Sequence, residues 1–130
     1  MGATEKSACC GGAPKLIFAC SGAADVGAIA DQAARKLTRD GAGKMFCLAG
    51  VGGRVSGIMK TTEAAAGILA IDGCPLDCAK NTLLQAGITS SEHLRLSDLG
   101  MEKGKSPVSE ERVAQAVEEG KALLCRGAEA

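Results

Sequence analysis

The residues best able to do chemistry in this chain gather in one stretch, Ile71-Asp72-Gly73-Cys74-Pro75-Leu76-Asp77-Cys78-Ala79-Lys80. Two thiols four residues apart fall on one side of a helical turn. A helix start favours the thiolate, the form that ligates metals and attacks disulfides. Pro75 suits the first helical position, where no amide hydrogen is needed, so Cys74 is expected at the cap and the helix to run from Pro75 to about Ala86. Asp77 then falls in the first turn, where a carboxylate meets the positive end of the helix dipole.

The rest of the chain has to carry that stretch. Gly67-Ile68-Leu69-Ala70-Ile71 leads into it as a buried strand, which Asp72-Gly73 ends. Upstream, Lys15 to Cys20 reads as a first strand with both faces covered. Asp25 to Arg39 reads as a helix with Val26, Ile29, Ala30, Ala33, Ala34 and Leu37 on its apolar stripe. Lys44 to Ala49 is expected as a second strand, Gly50-Val51-Gly52-Gly53 as a turn and Val55 to about Ala66 as a helix. Glu92 to Leu96, with the single histidine His93, suggests a fourth strand, and a last helix starts at Ser109 with Val113, Ala116, Val117, Gly120, Leu123 and Leu124 inward. Such alternation predicts an α/β fold: a single-domain, three-layer parallel sheet of about four strands with helices on both faces. The domain is expected over residues 14–130, after a flexible arm over residues 1–13 that carries Cys9 and Cys10.

In sheets of this kind ligands sit beyond the carboxyl ends of the strands. That rule brings Cys20, Cys47, Cys74 and Cys78 towards one another, and four thiolates make a closed tetrahedral zinc site. The spacing is not that of a zinc ribbon, since only Cys74 and Cys78 form a close pair. Each cysteine also has a plainer reading as a small buried hydrophobe. That reading suits Cys125 inside its amphipathic helix, and Cys47, two residues before its strand's expected end. His93 reads as a structural residue or a ligand. Asp72 and Asp77 read as turn and capping groups or as residues that orient ligands, Asp25 as a first-turn residue, and Lys80 as a solvated helix lysine.

Phe18-Ala19-Cys20-Ser21-Gly22, Cys47-Leu48-Ala49-Gly50 with Gly52-Gly53, and Asp72-Gly73-Cys74-Pro75-Leu76-Asp77-Cys78 together resemble the DGC-domain family, small proteins named for Asp-Gly-Cys. The resemblance covers roughly Lys15 to Thr89. It implies zinc as the bound metal and Cys20, Cys47, Cys74 and Cys78 as chelators, and it implies no particular reaction.

Composition narrows the function. Fifteen basic and fifteen acidic residues balance to zero net charge, against the basic surplus of a nucleic-acid binder. Two phenylalanines with no tryptophan or tyrosine leave no base-stacking platform, and no stretch suits a membrane helix. Seven cysteines without a secretion signal point to the reducing cytoplasm and to ligands or reactive thiols rather than staples. The glycine-rich turn is no nucleotide site: Val55 fills the third small position of a dinucleotide fingerprint, and Ile58-Met59 replaces the Lys-Ser/Thr of a phosphate loop.

The sequence reading is therefore a cytoplasmic zinc-binding protein with a cysteine thiolate site, its partner a metal ion and its protein partners unspecified. The alternative is a cysteine-based redox or soft-metal and metalloid detoxification enzyme, in which Cys74 or Cys20 attacks and another cysteine resolves. No Cys-x-x-Cys supports that alternative, and Val26 stands where a phosphatase-type cradle around Cys20 needs arginine.

Overall fold

The computed structural model describes residues 13–129, with side chains to Arg126. The expected arm, with Cys9 and Cys10, lies outside the described residues apart from Ala13. The elements are β1 (Lys15–Ala19), α1 (Asp25–Arg39), β2 (Lys44–Met45), α2 (Leu48–Gly52), α3 (Ser56–Glu63), β3 (Gly67–Asp72), α4 (Cys78–Gln85), β4 (Glu92–Arg95), a 3-10 turn (Leu96–Leu99) and α5 (Glu110–Glu129). The four strands form one parallel sheet in the order β2-β1-β3-β4.

The sheet alternates its side chains between two cores. Ile17, Ala19, Leu69, Ile71 and Leu94 face α1 and α5, where they meet Val26, Ile29, Ala33, Leu37, Val113, Ala116 and Val117. Leu16, Phe18 and Ala70 face the other way, against Val51 of α2 and Ala79 and Leu83 of α4. Burial on both faces is why β1 is a continuous apolar run rather than an alternating one. The α1 stripe read from the sequence is buried throughout. Lys15 is buried at the start of β1 and donates its Nζ to the Leu124 carbonyl at 2.5 Å, joining the sheet to α5.

The second strand departs from expectation. It is two residues long, and Cys47 caps a short helix instead of continuing the strand. The Thr38 hydroxyl accepts from Met45 N at 2.8 Å, and Phe46 N makes a last ladder bond to the Ile17 carbonyl at 2.9 Å. The chain then leaves the sheet, because Cys47 Sγ accepts from Gly50 N at 3.2 Å in the manner of a helix cap. The glycine-rich turn expected at residues 50–53 is thus largely the body of α2. Phe46 keeps its side chain at the sheet, edge-to-face with Phe18 at 6.2 Å. The last helix begins one residue after Ser109, whose hydroxyl accepts from Arg112 N at 3.2 Å.

Candidate metal centre

The Asp-Gly-Cys stretch lies at the carboxyl end of β3, as the sequence suggests, but its helix starts later. Cys74 accepts a turn bond from Asp77 N at 3.2 Å through its carbonyl, and Asp77 takes left-handed backbone angles of φ 55 and ψ 45. Asp77 is therefore the cap residue and Cys78 the first residue of α4. The expectation that Cys74 caps the helix and that Asp77 lies in its first turn is corrected. The physical reason is remote capping. The buried Asp72 carboxylate, on the last residue of β3, accepts from Ala79 N at 2.7 Å and Lys80 N at 3.1 Å. Those amides would otherwise lack partners at the helix start.

The fourth strand closes the arrangement. Ala70 pairs with His93 and Asp72 with Arg95 in the parallel register, so both β4 side chains lie on the Asp72 face. His93 Nε2 is 2.9 Å from Asp72 Oδ2 and 3.7 Å from Asp77 Oδ1. Arg95 grips Asp77 with both prongs, Nε to Oδ1 at 2.9 Å and Nη2 to Oδ2 at 2.6 Å. The guanidinium holds the Asp77 carboxyl below its ordinary value, with the positive field of His93 and Lys80 adding to the effect. The same pair raises Arg95 further above its own range. Sequence reasoning singled out Asp72, Asp77 and His93 but passed over Arg95. The available signal was its position two residues after His93 on a strand, which puts both on one face.

Among the described residues, Asp72, Asp77 and His93 are a group whose ligand atoms all lie within 4.8 Å of one another, close enough to share one metal ion. Their present bonds compete with that use. Asp72 serves two amides and His93, and Asp77 gives both oxygens to Arg95.

The cysteines occupy the same end of the sheet. Cys47 follows β2, Cys20 follows β1, and Cys74 and Cys78 follow β3, and all four are free thiols. Cys20 N extends the β1–β3 ladder to the Ile71 carbonyl at 3.1 Å. Cys20 and Cys74 are partly buried and pack against the core beneath α1, whereas Cys47 and Cys78 are exposed. No three of these sulfurs come within 4.8 Å of one another. Cys74 also lines an open cleft of about 600 Å³ with Pro75, Leu76 and Met101.

A family model, the DGC domain, matches residues 16–119, most of the chain and all of the strands except the first residue of β1. The chain belongs to the DGC-domain family. The DGC domain is also similar to the anaerobic and virulence modulator AnvM of Pseudomonas aeruginosa strain PAO1, at 40% identity over 88 residues, or 68% of this chain and 67% of that protein. No solved structure matches.

In this DGC domain Cys125 is partly buried on α5 rather than a fully buried hydrophobe. Among the described residues no helix is long and apolar enough to cross a membrane. The family and the Asp72, Asp77 and His93 group are together consistent with metal binding.

Proposed function

We propose that this DGC domain is a cytoplasmic zinc-binding protein whose ligands are the thiolates of Cys20, Cys47, Cys74 and Cys78. One observation carries the reading: the four free thiols follow the carboxyl ends of three neighbouring strands, β2, β1 and β3. A soft thiolate set suits zinc, and four such ligands leave no open position for a hydrolytic water. Two of the four are exposed at helix starts, so closing the sulfurs around an ion calls for movement of those starts rather than of the sheet. The Asp72, Asp77 and His93 group is the weaker donor set, because its carboxylates already have charge-assisted partners. A regulatory use, in keeping with the description of AnvM as a modulator, fits a closed site better than hydrolysis does.

The cleft beside Cys74 favours a second reading, redox or metalloid chemistry at that thiol. Native mass measurement on protein purified without added metal separates the two. One zinc per chain supports the binding reading, and a metal-free form carrying a new disulfide supports the enzyme. Competition with a chromogenic chelator under reducing conditions then locates the site. Cys78→Ser is expected to weaken zinc at least tenfold, about 1.4 kcal/mol, and His93→Ala to leave it unchanged. Equal losses in both variants would make His93 a ligand beside Cys78 and dismantle the four-cysteine set.

A further inference from the structure

We infer that Arg95 is a positioning residue for the cysteine pair: its two-pronged bond to Asp77 sets where α4 begins and hence where Cys78 is presented. The inference rests on the thiolate reading above and goes beyond it, since it brings a strand with no cysteine into control of the site. Asp77 sits between Cys74 and Cys78 and holds a left-handed conformation at φ 55. For a residue other than glycine that conformation is unfavourable and is visited most readily by Asn and Asp. Its own side chain makes no capping bond to α4. What holds it is Arg95, at 2.9 and 2.6 Å, in a pair with 18% of the Asp77 side chain and 32% of the Arg95 side chain exposed. A bidentate guanidinium–carboxylate bond fixes direction as well as distance.

The far side of the helix start is held by a second carboxylate, which His93 links to the first. Asp72 binds the Ala79 and Lys80 amides, and His93 lies 2.9 Å from the same carboxylate. Asp72 and Arg95 are register partners on adjacent strands. The helix start that presents Cys78 is therefore held to the sheet on both sides of that residue, through Arg95 at Asp77 and through the Asp72 cap at Ala79 and Lys80. Cys78 is the residue next to Asp77, so rotation at Asp77 reorients it directly. Lysine in place of Arg95 keeps the charge but loses the fork. Asparagine in place of Asp77 tolerates the left-handed backbone but loses the ion pair. The two substitutions thus separate the clamp from charge alone and from backbone strain.

The test uses full-length protein with Arg95→Ala, Arg95→Lys and Asp77→Asn. Amide hydrogen exchange is read on the metal-free form and zinc affinity by chelator competition. Faster exchange by about tenfold at Asp77 and Asn81, whose amides bond the Cys74 and Asp77 carbonyls, in Arg95→Ala, with the β1 amides unchanged, is the expected first result. Zinc binding weakened about tenfold in Arg95→Ala and Asp77→Asn, and by less in Arg95→Lys, is the second. Unchanged exchange and affinity in all three variants would overturn the inference, and so would loss of protection spread through β1, which would make Arg95 a general stabiliser. If Arg95→Ala does not fold, Arg95→Lys and Asp77→Asn decide by the same measurements. Wild-type protein that holds no zinc refutes the metal reading alone, because the exchange result still decides the clamp.

Discussion

Asp25 opens α1, yet two of its hydrogen bonds leave the helix altogether. Its carboxylate accepts from Gly104 N at 2.9 Å and Ser106 N at 3.1 Å, besides Val26 N at 2.7 Å. A first-turn carboxylate was the natural reading of the sequence, but its second use, as an anchor for a loop eighty residues away, has no local signal. The bond from Gly104, with those from Ser106 and Val26, holds its carboxyl below the ordinary value of 3.8. The sign follows from linkage: a carboxyl with a depressed folded value contributes stability above its unfolded value and loses it as pH falls through the folded one. Protection of the Gly104 and Ser106 amides should therefore persist at pH 5 and fall away below pH 3.8. Asp25→Asn should remove that pH dependence, and hydrogen exchange across an acid series reads both. A loop whose protection in the native protein does not change with acid would show that Asp25 does not hold it.

At the scale of elements, Gly73 shows why the middle residue of Asp-Gly-Cys is small. A Cβ there would lie 2.8 Å from the Val26 backbone carbon and 2.8 Å from its Cγ2. Gly27 faces Gly22 with the same closeness, 2.7 Å to backbone N and O. The first turn of α1 is thus wedged between the loops that carry Cys20 and Cys74, and backbone cannot yield as a side-chain end can. Gly73→Ala should destabilise the fold by about 1–3 kcal/mol, the usual range for overpacking. Urea denaturation checks this, and a midpoint equal to wild type would mean that the loop shifts freely. The elements legible in the sequence included β1, α1 and β3, whose long apolar patterns are decided locally, and β4 and α5 also begin within a residue of expectation. The second strand was not, because a short apolar run does not distinguish a strand from a strand that turns into a helix. The start of α4 was not legible either, since it depends on Asp72 capping from the neighbouring strand and on Arg95 holding Asp77. Of the polar network at the end of β3, three of the four members, Asp72, Asp77 and His93, were legible in the sequence. Arg95 escaped because its partner is visible only once β4 lies beside β3.

Over the whole molecule the two faces of the sheet are unequal. α1 and α5 cover one face with the larger core, from Ile17 to Leu124, while α2, α3 and α4 cover the other with a smaller one built on Leu16, Phe18, Val51 and Leu83. α2 has five residues and α3 and α4 eight each, against fifteen in α1 and twenty in α5. Short helices over a small core open more readily than long ones over a large core, in cooperative units below the global stability. The exposed thiols Cys47 and Cys78 sit at the starts of α2 and α4, on the weaker face. A ligand that binds only the closed arrangement stabilises it by mass action, by about 2.7 kcal/mol at a hundred times its dissociation constant. Zinc should therefore slow hydrogen exchange chiefly in residues 46–53 and 73–80, and barely alter α1 and α5, which are stable without it. Exchange mass spectrometry with and without one equivalent of zinc gives the map. Protection confined to β4 and residues 72–77, with α2 unaffected, would take Cys47 out of the site and leave the carboxylates and His93 as its centre.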